Sequence, residues 1–131
     1  KKIEGMEPLL DELQRQFKAE GSVHSLLGMR VGIRHEHAIL NSQLQSDGAA
    51  VMKVVPVILD DLLEDAGVIP GKDWLQTGHI HDEVQGSLRP GLEETFANCV
   101  DRAFKWAEEL LEVQVPLIGS AEFGNSWADT H

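Results

Sequence analysis

His81-Asp82-Glu83 sets two neighbouring carboxylates between two stretches of strand character, Trp74–Ile80 and Val84–Leu88. Asp and Glu fit poorly inside strands, and a tight turn lifts them clear of the ladder, where they can meet an ion. Hard divalent cations such as Mg²⁺ take carboxylate oxygens and keep several waters, which makes Asp82 a candidate ligand. The same residues also suit a plain polar turn, and spacing alone does not separate the two. His79 and His81 stand two apart, hence on one face of a strand. Together with Asp82 they outline a zinc site of the hydrolase type, although a further ligand at a recognisable spacing is missing.

A second group is His37, Asn41 and Gln45, spaced i, i+4, i+8 on an otherwise apolar helical stretch. An exposed helix edge explains such a stripe. So does a row of donors facing the minor groove, where every base pair offers the same purine N3 and pyrimidine O2 acceptors. Such a row checks the shape of a base pair without reading sequence.

The elements that must position these groups follow from periodicity. Met6, Leu9, Leu10, Leu13 and Phe17 predict an amphipathic helix over about 6–19, ended by Gly21 and Ser22. Leu27–Ile33, broken by Gly28 and Gly32, predicts a small hairpin or irregular extended piece. From His37 to about Ala66 the apolar side is too broad for a surface helix, which predicts a central buried one, kinked at Pro56 and capped by Gly67. After the hairpin around Asp82, Leu92, Phe96, Val100, Ala103, Ala107, Leu110 and Leu111 mark one face of a further helix. Val113–Ile118 is expected to be a last strand. The order predicts an α+β unit with no repeat or internal linker.

The chain has 131 residues, 42% of them hydrophobic, which suits one domain with a real core. No apolar run approaches the ~20 residues of a membrane span, and no secretory leader is visible. One cysteine, Cys99, excludes an internal disulfide and suits a reducing cytoplasm. The net charge of −11 is uneven: residues 1–59 carry seven Lys/Arg and seven Asp/Glu, while the rest carry four and fifteen. A phosphate-facing surface is therefore expected in the first half, around Arg30, Arg34, His35 and His37.

Three stretches carry a family resemblance. Arg34-His35-Glu36-His37-Ala38-Ile39-Leu40-Asn41-Ser42-Gln43-Leu44-Gln45-Ser46-Asp47-Gly48-Ala49 resembles a segment of family A (DNA polymerase I-like) polymerases, in the form found in bacteriophage replicative enzymes. His81-Asp82-Glu83-Val84-Gln85 resembles the third palm motif of that family. Val115-Pro116-Leu117 followed by Trp127-Ala128-Asp129-Thr130-His131 resembles a family terminus. Together they span most of the chain after residue 28, with 1–27 as an N-terminal helical segment.

The resemblance implies a partial polymerase palm, a hairpin carrying the metal-binding turn against a long helix and a C-terminal amphipathic helix. It implies template-directed addition of deoxynucleotides to a primer 3′ end by two-metal phosphoryl transfer with Mg²⁺, the ions about 3.5–4 Å apart. Asp82 would be one of two metal-holding aspartates and Glu83 a secondary carboxylate. His81 would sit near the primer end, Asn41, Gln45 and His37 against the duplex, Arg34 on backbone phosphate, and His131 close to the active site. Primer-template DNA and deoxynucleoside triphosphates would be the partners, in the cytoplasm of a bacterial host. The second aspartate has no counterpart before residue 28, and the chain contains no tyrosine for a fingers helix. The expectation is a fragment, inactive alone and with surfaces left to self-associate. The alternatives are a small metal-dependent hydrolase using His79, His81 and Asp82, and a non-enzymatic acidic interaction module.

Overall fold

The computed structural model describes residues 4–130. They form three α-helices and two antiparallel two-stranded sheets, in the order helix, hairpin, helix, hairpin, helix, followed by an extended C-terminal stretch. The α+β expectation holds. The chain divides into two compact units, Lys1–Ala50 and Val51–His131.

In the first unit α1 (Met6–Glu20) ends at Gly21, whose φ of 67° lets its N–H return to the Phe17 carbonyl. Strands β1 (Ser22–His24) and β2 (Arg30–Gly32) follow, with Val23 opposite Val31. The hairpin thus starts earlier than its apolar residues suggest, because Ser22 leaves the helix cap directly into a strand. Leu13, Val23 and Ile39 are its buried centre, with Phe17, Val31, Ile33 and Leu40 packed around them.

Helix α2 (Ile39–Asp65) is 27 residues long and continues through Pro56. A 3-10 turn over Glu36–Ala38 precedes it, so the expected helical start at His37 is replaced by a tighter turn. Its apolar side is not buried throughout: Leu44 and Val57 are 58% and 64% exposed. At its end the Val68 N–H reaches the Leu63 carbonyl and the Gly67 N–H that of Glu64, the paired bonds that close a helix at a left-handed glycine.

The second unit packs Val55, Ile58, Leu59, Leu62 and Leu63 of α2 against Phe96, Cys99, Val100, Ala103 and Ala107 of α3 (Glu93–Leu110), with Trp74 and Val68 in the same core. Between the helices lie β3 (Trp74–Ile80) and β4 (Glu83–Leu88). Val113–Ile118 is not a strand. Its Leu117 N–H is taken by the Glu108 carboxylate at 3.0 Å instead of a ladder carbonyl, and Leu117 and Ala121 press onto the core as an extended strap. No helix among the described residues is long and apolar enough to cross a membrane.

Candidate functional site

The β3–β4 hairpin is built from its base upward. Asp73, 4% exposed, accepts the Ile69 N–H at 3.1 Å through one carboxylate oxygen. The other lies 3.0 Å from Arg89 Nη1, a charge contact too poorly aligned to count as a hydrogen bond. The Arg89 N–H also meets the Asp73 carbonyl, so the two strand ends are tied both through backbone and through charge. Trp74 is buried beneath the sheet, its ring 4.5 Å from that of Phe96.

The register shifts between Gln76 and Gly78, so Thr77 is the extra residue of a β-bulge. Beyond it Gly78 faces Gln85, His79 faces Val84 and Ile80 faces Glu83. Directly opposed residues share a face, so Val84, which packs on the core, puts His79 on that side. Glu83 and Gln85 lie on the other. Since Ile80 pairs with Glu83, the turn proper is only His81-Asp82, and Glu83 is the first residue of β4 rather than part of the turn.

His81 has φ 55°, the left-handed conformation that a two-residue hairpin turn requires at its first position. This corrects two expectations. His81 has left the strand, so strand alternation no longer puts it on one face with His79. Among the described residues no three His, Cys, Asp or Glu side chains gather as a metal site, and the zinc arrangement loses its support. Asp82 is exposed at the apex, while Glu83 is half-buried and accepts the Gln85 amide at 2.8 Å. Asp82, Glu83 and Gln85 all border a broad crevice of about 1090 Å³ that Asn125 and Trp127 of the strap also line.

In the first unit Arg34, His37, Asn41 and Gln45 are all exposed. Asn41 and Gln45 share an edge of α2, with the Gln45 amide 3.4 Å from the Asn41 oxygen. His37 does not continue that stripe as a helical residue. It sits in the 3-10 turn, its ring stacked parallel on His35 with centroids 5.4 Å apart. On the reverse side of α2 the Gln43 amide reaches the His24 carbonyl at 2.9 Å and the Asp47 carboxylate at 2.8 Å. Asp47 also accepts the Leu26 N–H at 2.9 Å. This fastening of helix to hairpin was missed in the sequence, although polar residues four apart opposite the Asn41–Gln45 edge were a signal for it. His131, expected near the active site, lies outside the described residues.

No family model matches the chain. It is, however, 27% identical over 132 aligned residues to the DNA-directed DNA polymerase of Enterobacteria phage T3, an alignment covering 98% of this chain and 19% of that protein. The DNA-directed DNA polymerase of Escherichia phage T7 is 26% identical with the same coverage. DNA polymerase I of Aquifex aeolicus is 23% identical, covering 89% of this chain and 20% of the relative. The chain is thus similar, over nearly its whole length, to part of each of these DNA polymerases. It spans about a fifth of the length of the relatives it matches. The fold is likewise similar to that of a polymerase domain. The polymerase domain of Pol1 from M. smegmatis, solved with DNA primer-template and dNTP, matches 77% of this chain at TM-score 0.63 and 22% identity, with 19% of its own length covered.

Proposed function

We propose that the chain is the C-terminal palm portion of a phage-like, family A DNA-directed DNA polymerase, and that Asp82 is one of its metal-holding aspartates. The observation that carries this reading is the two-residue turn, which fixes an exposed carboxylate at the tip of a hairpin in a chain similar to part of DNA polymerases. A bound Mg²⁺ pair would activate the primer 3′ hydroxyl and neutralise charge on the transferred phosphoryl group. The residues of this chain fit only part of such a site. Asp82 offers a hard oxygen ligand and Glu83 a second carboxylate beside it, while the described residues bring no third to them. The remaining ligand belongs to another segment of the polymerase.

In this reading His81 borders the primer end. Arg34 meets backbone phosphate, and His37, Asn41 and Gln45 face the duplex, where their donors suit the acceptors common to all base pairs. Residues 28–131 form the palm and 1–27 a preceding helical segment, in a protein working in the cytoplasm of a bacterial host.

Primer extension tests the proposal in two steps. The purified 131-residue chain, given Mg²⁺, primer-template and four deoxynucleoside triphosphates, is expected to add no nucleotide, and template-dependent extension would refute its inactivity. The longer polypeptide that contains this chain is expected to extend the primer, and Asp82→Asn in it to lower the rate by roughly a thousandfold or more. Full extension by that variant would remove Asp82 from the chemistry.

A further inference from the structure

Between α3 and the turn over Trp127–Asp129, residues 114–124 cross the second unit as extended chain. Among the described residues no backbone-to-backbone hydrogen bond reaches them. The Leu117 N–H goes instead to the Glu108 carboxylate at 3.0 Å. Two residues further on, Gly119 rests on the Phe104 ring so closely that a Cβ there would stand 1.9 Å from Phe104 Cε2 and 2.4 Å from Cδ2. Ile118, between these two anchors, is 86% exposed and packs on neither side. Two separate spaces meet at the contact, since Phe104, Ile118 and Gly119 border both. One is the crevice of about 1090 Å³ that β4 and the Asp82 turn also line, and the other a hollow of about 240 Å³ shared with Asp101 and Lys105 of α3.

We infer that residues 114–124 are a latch: they lift from α3 as one local unit while both helices and the hairpin stay folded, and so join the two spaces into one wider crevice beside the Asp82 turn. Gly119 on Phe104 and Leu117 on Glu108 are its catch. Segments open below the threshold of global unfolding where no ladder and little buried apolar surface hold them. Lifting this one breaks the Glu108 bond, whose donor and acceptor both return to water, so the loss is modest. It also uncovers the face of the Phe104 ring that Gly119 covers, and that apolar area draws the latch shut again. Leu59, Leu62, Val100 and Ala103 keep their places in the core in either state. The latch does not depend on what Asp82 binds.

Native-state hydrogen exchange of the 131-residue chain, in urea too dilute to unfold it, tests the latch. The Leu117 amide should be protected, but at least tenfold less than the Val100 and Ala103 amides, and urea should hardly change its rate while it speeds theirs. Gly119→Ala puts a methyl group against the Phe104 ring and should lower Leu117 protection by roughly a further tenfold, with Val100 and Ala103 little altered. The same substitution made in Phe104→Ala should have little effect, because the obstacle is gone. Glu108→Ala leaves the ring in place and should release the Leu117 amide through the other anchor, which gives a second route where Gly119→Ala disturbs folding. Leu117 protection that equals that of Val100 and falls with it as urea rises means that the segment opens only with the whole unit, and overturns the latch. So does a Leu117 amide that exchanges as in an unstructured chain. A Gly119→Ala effect that persists in Phe104→Ala, or no response to either Gly119→Ala or Glu108→Ala, overturns the assignment of the catch.

Discussion

Gly86 lies directly over the ring of Trp74: a Cβ on residue 86 would stand 2.2 Å from Trp74 Cη2 and 2.7 Å from the Leu75 carbonyl oxygen. No rotamer relieves that approach, because one obstacle is a buried indole and the other is backbone. The hairpin that carries Asp82 is therefore seated on its core by the absence of a side chain. Gly86→Ala should destabilise the chain by about 1–3 kcal/mol, the usual cost of overpacking. A lower urea midpoint, with backbone amide shifts concentrated in β3 and β4, would show it. A variant as stable as the original would mean that Trp74 has room to move.

His81 makes an opposite prediction at the other end of the hairpin. Its φ of 55° is a conformation that glycine adopts without a Cβ penalty. His81→Gly should leave the hairpin as stable as before or better by up to about 1 kcal/mol, and His81→Val should cost about 1–2 kcal/mol, because a branched side chain is least tolerated there. Urea denaturation of the two variants gives the sign directly.

What the sequence disclosed divides along physical lines. The strand Trp74–Ile80 was legible because Pro70-Gly71 and the His81-Asp82 turn bound a short run of strand formers. The helix around Phe96 and Val100 was legible because its period is regular over five turns. Val113–Ile118 misled because β-branched residues beside a proline look like a strand whether or not a partner exists. Here the Glu108 side chain and the packing of Leu117 on the core, not a ladder, hold that segment. The one-residue bulge at Thr77 left no mark that spacing can read, and it decides which side chains meet near the turn. The place of Asp82 in a turn was therefore legible in the sequence, whereas the pairing of Gly78 with Gln85 and the seat of Gly86 over Trp74, which follow from register, were not.

Cys99 is buried in the second unit, its thiol 3.6 Å from the Leu62 carbonyl oxygen. Burial pushes this thiol above its usual range, and the nearby Arg102 charge offsets that only in part. A raised pKa in the fold means that the folded chain keeps its proton after the unfolded chain has lost it. The stabilising contribution is thus complete below the ordinary thiol range and is lost as pH rises through the raised value. Alkylation by iodoacetamide near pH 8 should be slow in the native chain and fast in urea, and stability should decline above about pH 9 less steeply in Cys99→Ala. Equal alkylation rates in native and unfolded protein would contradict this.

Asp47 joins the start of α2 to the β1–β2 loop, taking the Gln43 amide with one face and the Leu26 N–H with the same carboxylate. Gln43 and Asp47 project from the side of the helix opposite Asn41 and Gln45, since two residues advance the helical wheel by about 200°. Fastening one side to the hairpin leaves Asn41 and Gln45 on the outward side. Asp47→Ala should cost about 1–2 kcal/mol, the usual loss when hydrogen bonds to a charged group are removed. Asp47→Asn, which keeps one acceptor, should cost less. Hydrogen exchange localises the effect: the Leu26 amide should exchange faster in Asp47→Ala while the amides of α1 are little changed. Uniform acceleration throughout the first unit would mean that the carboxylate supports the whole unit and not this one junction.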